Sequence, residues 1–298
     1  MKLSLCTWHL ERRFGYEKAI RMIKDAGFDA LDYNLVDWCG TEQEMLAAPC
    51  ATMSRDEMQT HFTKMYEYAA DIGLEFGQTH AIFGAPGFFN HRELFDKITR
   101  DNIYQTHLLH CHHTVIHPIA TPKRQFDNDY EYCHEINLAF FRSLIPDLEK
   151  YDVKIAIEPM WYRVDGKICP TVCSRPEEIL TFIEELGSEH FCSCPDFGHF
   201  ALTGEDTGDT VGGAIRKLGK AVEIIHAHEV EKNEDRHTKP FSYGTMDWAD
   251  IATALRDIGY TGNFNFEVGG TYFGKYPDEL VPEALRHLAE IGKSIIGA

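Results

Sequence analysis

Residues 155–158 of this chain read Ile-Ala-Ile-Glu, a short apolar run that ends in a carboxylate. Three later segments repeat this form and also end in a side chain that can bind a metal: Cys-Ser-Cys-Pro-Asp at 192–196, Glu-Ile-Ile-His at 223–226 and Phe-Asn-Phe-Glu at 264–267. Each segment follows a helix-like stretch and precedes a loop, which is typical of a buried parallel strand. Four side chains are therefore expected at the carboxyl ends of parallel strands: Glu158, Asp196, His226 and Glu267.

Strand-like and helix-like patterns alternate along the whole chain. The predicted strands cover residues 2–8, 28–35, 74–81, 114–119, 154–159, 191–197, 222–229 and 263–268. The predicted helices cover residues 16–26, 55–72, 92–111, 129–151, 175–186, 210–218, 247–258 and 277–295. Eight strand–helix pairs are the number that a closed (β/α)₈ TIM barrel requires, and no linker divides the chain. The sequence thus predicts a single α/β domain over residues 1–298.

The alternation of side chains along each strand predicts which residues fill the barrel. Successive residues of a strand point to opposite faces, so the inward set follows once the four metal-binding residues are assumed to point inward. The remaining inward residues are then Lys154, Ala156, Cys192, Cys194, Val222, Ile224, Asn263 and Asn265. The bulky residues that face the helices are Ile155, Ile157, Phe264 and Phe266. An interior that is small or polar near the site, inside a bulky exterior, suits a barrel wrapped by helices.

The composition excludes some classes of partner. The formal net charge of −18 argues against a nucleic-acid backbone or an anionic membrane, because either would need a basic face. No targeting signal or membrane-length apolar run is visible, so we expect a cytoplasmic protein. Nine cysteines without regular spacing fit a reducing compartment and are expected to be packing residues. The sequence leaves a homo-oligomer open.

The four strand-end residues are expected to bind a divalent metal ion. Two glutamates, one aspartate and one imidazole offer oxygen and nitrogen ligands suited to Mn²⁺, Mg²⁺, Co²⁺ or Zn²⁺. Carboxylates that converge without a cation would repel one another strongly. His228 lies on the same predicted strand face as His226 and is the rival ligand.

The chain resembles the xylose isomerase-like barrel superfamily, which includes sugar isomerases and epimerases, inosose dehydratases and the endonuclease IV type of DNA-repair enzyme. The resemblance covers essentially the whole chain and rests on these motifs: Ile-Ala-Ile-Glu158-Pro, Asp196-Phe-Gly-His199, His226-Ala-His-Glu229, Asp235-Arg236-His237 and Glu267. It implies that the four strand-end residues hold one divalent ion. It also favours His226 as the ligand, because Glu229 follows three residues later, where the family often has aspartate.

Further polar residues extend the resemblance. With Asp235 and His237, the positions of His80, His117 and His199 match the additional ligands that the endonuclease IV type uses for a three-metal cluster. Many sugar-acting members keep several of these positions and use them to bind sugar hydroxyls. The residues proposed for substrate binding are His80, His117, Trp161, His199, His228 and Arg236, and those proposed as additional metal ligands are Asp235 and His237.

One ion and two facing glutamates can epimerise or isomerise a ketose, a keto-polyol or a sugar phosphate. The ion would bind adjacent carbonyl and hydroxyl oxygens and stabilise a cis-enediolate, while Glu158 and Glu267 move the proton. Expulsion of a leaving group would instead make the protein a lyase, such as an inosose-type dehydratase or a 3-keto-glycoside eliminase. The same residues are also compatible with an endonuclease IV-type phosphodiesterase, which the negative charge disfavours, and with a barrel without catalytic activity.

Three longer loops are expected to cover the barrel mouth, at residues 37–52, 82–91 and 162–173. In or beside them lie aromatic residues that can exclude water from a bound sugar: Trp38, Phe83, Phe88, Phe89, Trp161 and Tyr162.

Overall fold

The structure is a computed structural model that describes residues 1–36, 41–120 and 126–297. Its strands are β1 (Leu3–Cys6), β2 (Ala30–Asn34), β3 (Glu75–His80), β4 (His113–Ile116), β5 (Lys154–Ile157), β6 (Trp161–Val164), β7 (Lys167–Pro170), β8 (Phe191–Ser193), β9 (Glu229–Glu231), β10 (Glu234–Thr238) and β11 (Phe264–Phe266). Seven of them form one parallel sheet in the order β11-β1-β2-β3-β4-β5-β8.

Helices follow the strands and cover the outside of this sheet. They are α1 (Trp8–Phe14), α2 (Tyr16–Asp25), α3 (Glu42–Ala47), α4 (Pro49–Thr52), α5 (Arg55–Asp71), α6 (Ala85–Asn90), α7 (Arg92–Leu108), α8 (Phe126–Tyr151), α9 (Pro176–Leu186), α10 (Phe197–Thr207), α11 (Val211–Leu218), α12 (Trp248–Asp257), α13 (Gly270–Phe273) and α14 (Val281–Ile296). Local signals set several helix starts. The residue before α5, Ser54, forms a capping box with Glu57, and Asp196 caps α10 by accepting from the backbone N–H of His199.

Residues 222–227 close the sheet into a barrel. Val222 and His226 bridge to Ser193 and Asp196 on one side, and Ala227 bridges to Phe266 of β11 on the other. The predicted (β/α)₈ fold is therefore confirmed. The prediction of one regular strand over residues 222–229 was wrong. This segment makes only isolated bridges to its neighbours, and its last residue, Glu229, is the first residue of β9. Pro195, which has no N–H to donate, stands in the facing chain and prevents a continuous ladder there.

The interior and exterior of the barrel follow the predicted alternation with one exception. Val115, Ala156, Cys192, Cys194 and Ile224 form a small cluster of their own. The predicted exterior residues belong instead to the large core between sheet and helices: Ile155, Ile157, Phe264 and Phe266. The prediction was wrong for Val222, which also packs in that outer core. Its neighbour Glu223 reaches the inner residue Lys154 instead, at 2.6 Å, because residues 222–227 lack a regular ladder.

Two antiparallel hairpins at the barrel mouth were not predicted. Strand β6 pairs with β7, inside the predicted loop 162–173, and β9 pairs with β10. The first hairpin turns through Asp165 and Gly166, and both residues have positive φ. An Asp-Gly pair is the sequence signal of such a tight hairpin turn. The predicted loop 82–91 contains α6, and the described part of the loop 37–52 contains α3 and α4. Trp38 lies outside the described residues.

The described cysteines are free thiols, as expected of packing residues. Six are buried and Cys169 is half-buried. Within residues 1–36, 41–120 and 126–297, no helix is both long and apolar enough to span a membrane.

Candidate active site at the barrel mouth

The four strand-end residues converge at the carboxyl-terminal mouth of the barrel. We call Glu158, Asp196, His226 and Glu267 the four-residue group, since one ligand atom from each lies within 4.8 Å of the others. Nδ1 of His226 lies 3.2 Å from Oε1 of Glu158, 3.4 Å from Oε2 of Glu267 and 3.9 Å from Oδ2 of Asp196. Three of these residues are fully buried and Glu267 nearly so.

The donor atoms of this group fit a metal ion. Oε2 of Glu267 is buried, yet no described group is aligned to donate a hydrogen bond to it. A buried carboxylate oxygen without a donor is costly unless a cation compensates it. The four-residue group therefore fits a divalent ion for two reasons. Its donor atoms are of the types that such ions prefer, and a bound ion would compensate the unpartnered Oε2 of Glu267.

A second group shares Glu158. The His80 group consists of His80, His117 and Glu158. Nε2 of His117 lies 2.9 Å from Oε2 of Glu158 and 3.0 Å from Nε2 of His80. Nδ1 of His80 lies 2.9 Å from the carbonyl oxygen of Ala81, and donation there leaves Nε2 of the neutral ring as an acceptor or ligand.

A third group lies on the side of the hairpin β9–β10. The Asp235 group consists of His199, His228, Asp235 and His237. Oδ2 of Asp235 lies 3.3 Å from Nε2 of His199 and 3.2 Å from Nε2 of His237, and it accepts from the indole N–H of Trp161 at 3.3 Å. The rings of His228 and His237 stack at 4.0 Å. The unpredicted hairpin is thus the element that carries Asp235 and His237 to the site.

The structure separates the two rival histidines. His226 lies in the four-residue group, whereas His228 belongs to the Asp235 group. Nε2 of His228 lies 3.0 Å from each carboxylate oxygen of Asp196. Arg236 is not brought to the site. It pairs with Glu231 at 3.0 Å on the half-exposed side of the hairpin.

A cavity of about 810 Å³ opens above these groups. Its described lining residues include Trp8, Arg12, Asn34, His80, Phe83, His117, Glu158, Met160, Trp161, Tyr162, Arg163, His199, Asp235, His237 and Glu267. Sequence reasoning missed Trp8, Arg12, Asn34, Met160 and Arg163. Trp8 and Asn34 have a signal that was available, since each stands at or just after the carboxyl end of a strand. Of the predicted loop aromatics, Phe88 packs instead on the rings of the core residues Phe95 and Phe140.

Opposite charges dominate the electrostatics of the site. Burial raises the pKa of Glu158, but His117 and His226 outweigh it and hold this pKa well below its usual range. Burial lowers the pKa of His199, but Asp196 and Asp235 outweigh it and raise this pKa to about 10. For His226, the surrounding acidic groups likewise outweigh burial and hold its pKa well above the usual value. Without a metal, His199 and His226 therefore carry positive charge, and an ion that binds to His226 must displace a proton.

Fold and site together define a (β/α)₈ barrel whose carboxyl-terminal mouth gathers carboxylates and imidazoles. The chain belongs to the xylose isomerase-like TIM barrel family, whose model matches residues 20–291. The resemblance seen in the motifs is thereby confirmed.

Individual relatives of the chain include sugar epimerases. It is 34% identical over 121 residues to D-psicose 3-epimerase from Enterocloster bolteae, a match that spans 41% of this chain and only 35% of that protein. Its fold is similar to that of D-psicose 3-epimerase with D-tagatose from Clostridium cellulolyticum H10, with a TM-score of 0.72, 16% identity and 99% coverage of both chains. It is also similar in fold to the IolI protein with a binding zinc atom, with a TM-score of 0.71, 16% identity and coverage of 100% and 98%.

Proposed function

We propose that this protein is a divalent-metal-dependent isomerase or epimerase of a ketose, a keto-polyol or a sugar phosphate. The observation that carries the proposal is the convergence of Glu158 and Glu267, from opposite sides of the barrel, on Nδ1 of His226. Relatives named as ketose epimerases favour this activity within the family.

The four-residue group would hold the ion. Its three carboxylates and one imidazole suit Mn²⁺, Mg²⁺, Co²⁺ or Zn²⁺. When bound, the ion supplies Lewis-acid stabilisation of the negative charge that develops on the substrate oxygens.

The protein's own residues divide the remaining work. One of the two glutamates removes the proton from the carbon next to the carbonyl group, and the other returns a proton from the opposite face. Return to the same carbon epimerises it, whereas return to the neighbouring carbon converts a ketose to an aldose. His80, His117 and His199 line the cavity and would hydrogen-bond sugar hydroxyls, and the ring of Trp161, also in the lining, would shield the site from water.

A screen of ketoses in deuterated water with added Mn²⁺ tests the proposal. We expect deuterium at a single carbon of one or more ketoses, without loss of water from the sugar. Deuterium incorporation coupled to loss of water or of a larger group would identify a lyase instead. A screen in which no sugar is labelled or converted would contradict both.

The three ligand groups at the barrel mouth favour one second candidate, a phosphodiesterase that uses several metal ions. Metal analysis distinguishes the two functions, because a sugar isomerase of the proposed kind needs about one ion per chain and the phosphodiesterase about three. We expect no cleavage of a duplex with an abasic site at physiological salt, since a chain of net charge −18 repels the DNA backbone. Robust metal-dependent cleavage would make the second candidate the first.

A further inference from the structure

A further carboxylate lies behind His226, on the side of the ring that faces away from the four-residue group. Asp32 of β2 points into the barrel and is 1% exposed. Its Oδ2 lies 3.2 Å from Nε2 of His226, whereas Nδ1 of the same ring faces Glu158 and Glu267. No described acceptor, Oδ2 of Asp32 included, is aligned with Nε2 for a regular hydrogen bond in the structure, and Oδ2 approaches it as an acidic neighbour. The ring is therefore held between two acidic neighbourhoods, one at each nitrogen.

Two buried amides anchor this carboxylate. Asn265 of β11 donates to Oδ2 of Asp32 at 2.8 Å, and Gln78 of β3 donates to the same oxygen at 3.3 Å. The amide of Gln78 also lies 3.5 Å from the carbonyl oxygen of Ile225, the residue before His226. Both anchors fix Asp32 relative to the backbone that carries the imidazole.

Asp32 has no direct route to a substrate. It is absent from the described lining of the cavity and from each described group of potential metal ligands. A fully buried carboxylate that neither lines the cavity nor belongs to a ligand group acts on the site through the ligand it contacts, the ring of His226.

We propose that Asp32 is the positioning residue of His226. It accepts the hydrogen of Nε2 and thereby keeps the lone pair of Nδ1 directed at the metal position. This inference rests on the proposed metal centre. A carboxylate behind a metal-binding imidazole fixes its tautomer and orientation, and its loss typically costs roughly 10–100-fold in metal affinity.

Asp32→Asn tests this role against Glu185→Gln as a matched control. The control makes the same carboxylate-to-amide change at a carboxylate–histidine contact between α8 and α9, where Oε2 of Glu185 lies 2.8 Å from Nε2 of His134. Neither residue belongs to a described group of potential metal ligands. Dissociation constants for Zn²⁺ would be measured by chelator competition at a temperature where all proteins are folded. We expect D32N to weaken Zn²⁺ binding roughly 10–100-fold and E185Q to change it less than about twofold.

The proton on Nε2 of His226 provides a readout that does not depend on activity. In ¹⁵N-histidine-labelled wild type, we expect a downfield signal protected from exchange with water, assigned by its absence in His226→Gln. In D32N this signal should move upfield and lose protection, and in E185Q it should remain. Unchanged Zn²⁺ affinity and an unchanged signal in D32N would overturn the proposal.

Failure of the metal centre itself would look different. Wild type would then bind no divalent ion. The contact between Asp32 and His226 would then be tested only by comparing the Nε2 signal of His226 in metal-free wild type and metal-free D32N. If D32N does not fold, Gln78→Leu, which removes one anchor and leaves the carboxylate, should weaken Zn²⁺ binding in the same direction. Unchanged affinity in folded Q78L would then overturn the role of Asp32.

Discussion

At the scale of single residues, the site depends on which nitrogen of which histidine faces the carboxylates. Strand alternation correctly placed His226 inside the barrel but could not separate it from His228, because both lie on the same face of the predicted strand. The structure separates them by two contacts: His226 meets both glutamates, and His228 meets Asp196. Such contacts depend on the path of neighbouring chain segments, which a single strand pattern does not contain.

The two histidines should differ in their effect on metal binding. We expect His226→Ala to abolish most metal occupancy, because it deletes a proposed ligand. His228→Ala should lower occupancy less, because it removes a hydrogen bond to Asp196 and leaves the four-residue group complete. Metal content after dialysis against a weak chelator measures the difference, with circular dichroism as the control for folding. A larger loss of metal in H228A than in H226A would reassign the ligand.

At the scale of elements, the positions of most strands and helices were predictable, whereas the additions at the barrel mouth were not. Apolar runs such as Ile155-Ala156-Ile157 lie between long amphipathic helices, so their pattern decides their structure. The hairpins β6–β7 and β9–β10 are short, mix polar and apolar residues and are mostly half-buried, and no regular apolar alternation marks them. The turn residues Asp165-Gly166 were the one usable signal. The contribution of Asp235 and His237 was predictable from the family resemblance alone.

The loop that follows the hairpin β9–β10 is held by one buried carboxylate. Glu229 of β9 is fully buried and accepts hydrogen bonds from the backbone N–H groups of Ser242, Tyr243 and Thr245, and from the indole of Trp248. Glu229 thus joins the base of the hairpin to the start of α12. The glutamate that stands where the family often has aspartate therefore anchors this loop.

Glu229→Gln should destabilise the fold. The substitution removes the charge that attracts these donors and replaces one oxygen by an amide nitrogen that cannot accept, so we expect a loss of about 1–3 kcal/mol. Glu231→Gln, two residues along the same strand, is the matched control, because its partly exposed pair with Arg236 contributes about 0–1 kcal/mol. Urea unfolding of both variants measures the difference. Equal stability of E229Q and E231Q would remove Glu229 from this anchoring role.

At the scale of the whole molecule, the chain gathers a dense set of buried charges at the carboxyl-terminal end of the barrel, and the interior below this end has an apolar side and a polar side. The small cluster of Val115, Ala156, Cys192, Cys194 and Ile224 lies beneath one side of the site. On the other side, buried Asp32, Gln78 and Asn265 form a polar network. The alternation pattern predicted that Asn265 points inward. It did not predict that Asp32 serves His226, because the two residues lie far apart in sequence.

This charge distribution predicts a pH dependence for the metal-free protein. The raised pKa of His199, about 10, contributes stability below the unfolded value near 6.5, and this stability is lost as the pH rises toward 10. The lowered pKa values of Glu158 and Glu267 contribute stability above the unfolded value of about 4.3, and this stability is lost as the pH falls. The metal-free Tm should therefore be highest between about pH 4.5 and 6.5.

Thermal scans with a chelator from pH 4 to 10 check this expectation. Added divalent metal should raise the Tm most on the alkaline side, because there the ion replaces protons that the imidazoles have already lost. A metal-free Tm that increases steadily from pH 6 to 9 would contradict the assigned charge states.

The most direct test of the central claim is deuterium exchange into a ketose substrate by wild type, Glu158→Gln and Glu267→Gln in Mn²⁺. The substrate is the sugar that responds in the screen, and metal content and circular dichroism are recorded for each protein. We expect both variants to remain folded and to lose exchange and turnover by orders of magnitude, because each loses a proton-transfer group and a metal-binding charge. E231Q, with the same change outside the site, should exchange at the wild-type rate. Wild-type exchange in either E158Q or E267Q would contradict a mechanism that uses two glutamates.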